Sequence, residues 1–247
     1  MNDEFYVGYL DSCPPALAGF LRRVTAALAA LVAVLVLLVA GAQDPTEPGS
    51  FEFGVRTTFE GILFEHPLPM LRRLEVDGTV RHDLLVGFGK YGMPAFARGH
   101  HGHRVRFDGS VIRSPRGRMI EMNAPDSFRV LDDSAPSLPD PPSGSVGEVV
   151  LTGELVDTKC YFGVMRPATG KVHRACAVRC LAGGVPPGLL VRDGAGGATV
   201  VLLLSGDDGR SPSLDPEWAA RRLSVRGELE MRHGWAVLAV RHVRRLD

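Results

Sequence analysis

Hydrophobic residues follow two different rhythms along this chain. From Val24 to Ala42 they run together with no charged residue and a single hydroxyl, Thr25, and these nineteen positions as a helix would span about 28 Å, close to the hydrocarbon thickness of a bilayer. Beyond Phe51 the run gives way to short stretches in which apolar and polar residues alternate, the period-two pattern of half-buried strands. Two of these stretches share a plan: Val105-Arg-Phe-Asp-Gly109-Ser-Val111 and Leu223-Ser-Val-Arg-Gly227-Glu-Leu229 lie 118 positions apart, as do Leu84-Leu85-Val86 and Leu202-Leu203-Leu204. Each copy opens on a glycine-centred strand, Phe59-Glu-Gly61-Ile-Leu63 and Leu151-Thr-Gly153-Glu-Leu155, but here the offset is 92, so the second copy has 26 more residues between its first and second strands.

Each copy reads as a long strand, a hairpin, a short helical connection and two closing strands. In the second copy the connection is Asp215 to Arg222, with Asp215 as cap and Pro216 in the first turn. Interior glycines such as Gly109 and Gly227 are costly in a flat strand and mark the bends a small barrel needs to close. The expected fold class is therefore mainly β: one N-terminal transmembrane helix followed by two small OB-like β-barrel domains, the second with a Cys/His-containing helical insert. A five-strand sandwich is the alternative architecture. The divisions are a cytoplasmic segment 1–23, the helix 24–42, a first domain 51–130, a linker 131–145 rich in Pro, Ser and Asp, and a second domain 146–247 with its insert at 157–184.

Charge sets the orientation. Arg22 and Arg23 precede the apolar run, Asp44 and Glu47 follow it, and the positive-inside tendency then leaves the C-terminal domains outside the cytoplasm. The chain is expected to be a single-pass protein of the bacterial inner membrane, in contact with lipid through 24–42 and with its bulk in the periplasm. A signal peptide cut after Ala40-Gly41-Ala42, before Gln43, is the competing reading. Cys13 precedes the apolar run, is not placed as a lipoprotein cysteine, and reads as a reduced thiol. Lys+Arg and Asp+Glu both total 28, so no net field draws the protein to nucleic acid.

The other three cysteines fall in the extra stretch of the second copy. Lys171 to Leu181 has helix-forming composition, and Gly183-Gly184 with Pro186-Pro187 stops it. His173, Cys176 and Cys180 then stand at i, i+3 and i+7 and share one helix face. Cys160, just past the first strand, can close over that face to complete a Cys3His set suited to tetrahedral zinc or to a soft ion such as cuprous copper. The alternatives are a disulfide from Cys160 to Cys176 or Cys180, which leaves one thiol unpaired, and thiol redox exchange.

Asp157-x-x-Cys160, His173-x-x-Cys176-x-x-x-Cys180 and Gly183-Gly-Val-Pro-Pro-Gly188, together with the leader Phe5-Tyr-Val-Gly-Tyr-Leu10, resemble a family of membrane-anchored or exported bacterial proteins of no assigned activity. The resemblance covers roughly Val149 to Leu190 and the leader. It implies a fold and a location, not a reaction.

Other candidates read as structure. Gly99-His100-His101-Gly102-His103 could chelate an ion but lacks a carboxylate or thiol nearby, and reads as a solvated loop. Gly87-Phe-Gly89-Lys90-Tyr-Gly92 lacks the P-loop order and reads as a hairpin turn. No GxSxG, no HExxH and no acid-base carboxylate pair argues for hydrolysis, so no catalytic residue is assigned. The expected function is that of a non-catalytic envelope accessory protein that docks on, or delivers metal to, a membrane-bound protein complex. A metal- or thiol-based redox or electron-transfer protein is the alternative.

Overall fold

Helix α1 spans Pro15–Gly41, and the computed structural model that contains it describes residues 12–42, 49–115, 117–131, 143–194, 197–205 and 214–246. The helix starts ahead of the apolar run because Pro14-Pro15 supplies a first-turn proline, whose missing N–H would have had no partner there anyway. It ends at Gly41, none of its side chains is buried, and it is long and apolar enough to cross a membrane. The leader Phe5 to Leu10 and most of the linker, 132–142, lie outside the described residues.

Residues Glu47–Asp247 form one compact unit built from two closed barrels of five strands each. The first consists of β2 (Thr57–Phe64), β3 (Met70–Leu74), β4 (Val80–Gly87), β5 (Arg104–Ser114) and β6 (Gly117–Met122), with the two-residue strands β1 (Ser50–Phe51) and β7 (Arg129–Val130) added on β5. The second consists of β8 (Gly144–Asp157), β9 (Pro187–Arg192), β10 (Ala198–Ser205), β11 (Arg222–Arg232) and β12 (Trp235–Arg245). In each barrel the third strand pairs parallel with the fifth, the fifth antiparallel with the fourth, and the fourth antiparallel with the first.

The strand register repeats with the sequence offsets. Leu84 faces Met119 and Leu202 faces Val237, while Val111 faces Ile120 and Leu229 faces Leu238, so every partner is displaced by 118 positions. Phe59 faces Phe107 and Leu151 faces Val225, which reproduces the offset of 92 on the opening strand. Alternation produced this match, because sliding one strand by one residue would turn its apolar set outward. The change of offset falls between β8 and β9, where residues 158–186 form α2 (Thr158–Phe162) and α3 (Gly170–Ala182); in the first barrel residues 65–69 make the same connection.

The interior glycines sit where strands crowd. A Cβ on Gly227 would lie 2.1 Å from the Ala239 carbonyl oxygen, next to a register shift between Arg226 and Gly227, and one on Gly109 would lie 2.8 Å from the Glu121 carbonyl oxygen. Gly227→Ala is expected to destabilise the folded unit by about 2 kcal/mol or more, since overpacking has to move a strand. Denaturant titration of the full chain checks this, and an unchanged midpoint would count against the crowding.

The connection expected to be helical from Asp215 to Arg222 is only the 3-10 turn Pro216–Trp218. Asp215 caps it by accepting from the Glu217 N–H, but Ala219 is extended and Ala220 takes φ +59, so the helix cannot continue. Composition showed the start of the turn; the left-handed residue that ends it had no sequence signal.

Each barrel encloses a core, Phe59, Leu63, Val105, Phe107 and Ile120 in the first and Leu155, Leu189, Leu203, Leu223 and Leu238 in the second. A further cluster lies between the barrels and draws from both: Met70, Leu84, Ile112 and Met119 pack with Val156, Phe162, Leu190 and Val237. Trp235, the first residue of β12, lies with its ring tilted against Phe162 at 5.6 Å and reaches the first barrel by donating its indole N–H to the His82 carbonyl at 3.1 Å. This shared core brings the turn after β4 against α2 and α3.

Candidate metal centre

Asp157 ends β8 and is the first determinant of the site. Its Oδ1 accepts the Cys160 N–H at 2.8 Å, the cap that starts α2, and its Oδ2 is 3.0 Å from His173 Nε2 on α3. The carboxylate is fully buried. Burial alone would raise its pKa, but the bonds from His173 and from the Cys160 N–H outweigh that and hold it below the ordinary aspartate value. One carboxylate thus sets the start of α2 and the placement of α3.

α3 begins at Gly170, with φ +73 and its N–H donated to Glu154 Oε1 at 2.5 Å. Arg174 ties its outer face to Glu217 of the 3-10 turn at 2.8 Å. The helix stops where Gly183 and Gly184 admit a close turn, Gly184 having φ +87, and the Val185 N–H returns to the Cys180 carbonyl at 3.0 Å. Within it His173 and Cys180 are buried and Cys176 is half-buried, as the i, i+3, i+7 spacing requires.

Cys160 Sγ lies 3.7 Å from Cys176 Sγ and 4.0 Å from Cys180 Sγ, and the three sulfurs are all within 4.8 Å of one another. None of the three is bridged. Sulfurs bound at about 2.3 Å to one tetrahedral ion are about 3.8 Å apart, close to the two separations measured from Cys160. Asp157, Cys160 and His173 form a second group whose ligand atoms also lie within 4.8 Å of one another. Both groups could bind a metal, and they share Cys160. Of the expected set Cys160, His173, Cys176 and Cys180, the three cysteines form one group and His173 falls in the other, with Asp157 and Cys160, so Cys160 is the residue the two have in common.

The electrostatics are uneven across the thiols. The contact with Cys180, together with burial and the Asp157 charge, pushes the Cys160 thiol far above its ordinary value, while the same contact lowers Cys180. Lys90, from the turn after β4, places Nζ 2.6 Å from Cys176 Sγ, and its own pKa is raised by that contact. Lys159, beside Cys160, is buried and uses all three ammonium protons, two on the Gly87 and Gly89 carbonyls at 2.7 Å each and one on Glu121 Oε2.

Asp157, Lys159 and Lys90 were not among the expected ligands. Asp157 had a signal, the Asp-x-x-Cys spacing of a helix cap ahead of a thiol. Lys90 had none, since it is 86 positions from Cys176. The histidine tract is a loop held by Glu65, whose Oε1 accepts from the Gly99 and His100 N–H groups, while His101 Nδ1 accepts from the Glu65 N–H. Among the described residues it enters neither group with metal-binding geometry. Comparison with family models and with curated protein sequences finds no match for the chain.

Proposed function

We propose that the protein is a single-pass envelope protein whose OB-like barrels present a Cys160–Cys176–Cys180 centre for a soft metal ion, zinc or cuprous copper, and deliver it to a membrane-bound protein partner. The observation that carries this reading is the convergence of three unbridged sulfurs within 4.8 Å. The OB-like description is supported by the strand order, first with second, second with third, third with fifth, fifth with fourth and fourth with first. Residence in the bacterial inner membrane with periplasmic barrels is supported by the apolar helix α1 and by Arg22 and Arg23 ahead of its most apolar part.

Cys160, Cys176 and Cys180 would hold the ion as thiolates, and His173 with Asp157 would orient Cys160 and offer a fourth donor. A bound ion would supply a labile charge centre for transfer; the chain's own residues bind it and exclude water from the buried side. The test is metal analysis and thiol counting on full-length protein extracted from membranes under argon. About one ion per chain is expected, with the three thiols protected from alkylation until a chelator is added. Metal-free protein in which Cys160 is bridged to a helix cysteine would overturn the reading, and recovery of chains that begin at Gln43 would overturn the anchor.

A second reading, thiol redox exchange, is favoured by the Lys90–Cys176 contact, because an adjacent ammonium stabilises a nucleophilic thiolate. It predicts reversible bridging of Cys160 to Cys176 in a dithiol/disulfide buffer with no metal bound.

A further inference from the structure

The turn after β4 belongs to the first barrel, yet it places a charged group directly on the thiol centre of the second. Lys90 Nζ is 2.6 Å from Cys176 Sγ. The turn is fixed on both sides of that lysine. Ahead of it, the Gly87 and Gly89 carbonyls accept from Lys159, and behind it the Gly92 N–H donates to the Gly183 carbonyl at 2.9 Å. The approach leaves no room for side chains: a Cβ on Gly92 would sit 2.0 Å from the Gly184 carbonyl oxygen, and one on Gly183 would sit 2.0 Å from that of Lys90. Lys90 is thus a positive charge held in place against one of three converging sulfurs.

An ammonium in that position has no free pair with which to ligate a metal. It acts on an incoming cation through Coulomb repulsion, which scales with the charge of the ion, so a divalent ion is opposed twice as strongly as a monovalent one at the same distance. Thiolate donors suit both zinc and cuprous copper and do not separate them. We infer that Lys90 is a specificity-determining residue of the thiol centre, setting it to prefer a monovalent soft cation of the cuprous type over divalent zinc. This inference rests on the metal reading proposed above.

The test compares wild type, Lys90→Met, Lys90→Gln and Lys90→Arg as full-length protein in detergent under argon. Cuprous affinity is read by competition with bicinchoninate and zinc affinity by competition with a chromophoric chelator. In the Met and Gln variants zinc affinity should rise relative to cuprous affinity by about tenfold or more, while Arg, which keeps the charge, should hold the ratio within about twofold of wild type. The Gln variant is one atom shorter but keeps an unbranched stem and a hydrogen-bond donor, so it stays informative if Met disturbs the turn. An unshifted zinc-to-copper ratio in the Gln variant overturns the role of Lys90 alone. Wild-type protein that binds neither metal overturns the metal reading and the inference together.

Discussion

Lys159→Met is expected to destabilise the folded unit by about 3–5 kcal/mol, the usual result of removing one partner from a buried ion pair. Glu121 is 1% exposed, and in the variant its carboxylate would keep its burial without its cation. The Gly87 and Gly89 carbonyls would lose their donor at the same time. The loss should be larger than for a surface pair such as Arg113–Glu52, which solvent screens. Because Lys159 belongs to α2 and Glu121 to β6, the damage should spread to the interface between the barrels and loosen the turn that carries Lys90. Denaturant unfolding measures the first effect, and faster alkylation of Cys176 measures the second. The double variant Lys159→Met/Glu121→Gln should recover a large part of the stability, since it leaves no buried unpaired charge. If the single and double variants were equally unstable, the lost packing of the lysine stem would be the cause, not the orphaned carboxylate.

The largest effect on the centre is expected from Cys160→Ser. Cys160 is the sulfur shared by both groups of potential ligands, and the alcohol that replaces it is a much poorer donor to a soft ion. Metal content should fall to less than about a tenth of wild type. His173→Ala should behave differently. His173 bonds to Asp157, which caps α2 at Cys160, so its loss should weaken metal binding by about 10- to 100-fold, as for residues that orient ligands, and also leave a buried aspartate short of a donor. Metal analysis at saturating and at limiting metal separates the two: the serine variant stays empty in both, and the alanine variant fills at saturation. A Cys160→Ser protein that retained a full complement of metal would remove Cys160 from the centre.

Much of the architecture was legible in the chain. The period-two stretches and their glycines specified the strands, and their constant offset carried through to the pairing of Leu84 with Met119 and Leu202 with Val237. These are local signals: alternation records which face of a strand is buried, and a repeated pattern records a repeated register. The same holds for α3, where composition and the Gly183-Gly184 stop bounded the helix and the i, i+3, i+7 spacing placed His173, Cys176 and Cys180 on one face. The apolar run from Val24 to Ala42 likewise carried its own meaning, because hydrophobic length is a property of the segment alone.

What the sequence could not contain was anything that depends on how the barrels meet. Leu84 and Met119 lie on strands that the sequence pattern shows, but nothing in that pattern says that they pack against Val156 and Val237 of the other barrel. Lys90 read as part of a turn and Lys159 carried no signal of its own; their roles arise only when the turn after β4 is pressed onto α2 and α3. The 3-10 turn at Pro216–Trp218 is short for a reason of the same kind, since Ala220 must turn left-handed to feed β11 into its place. Patterns along a chain encode which side of each element is apolar, and they fix strands, helices and the Cys/His stripe of α3. Charge placement at the centre was decided by the tertiary structure, because Coulomb and hydrogen-bond energies depend on separations of a few ångströms between residues that are 38 to 86 positions apart.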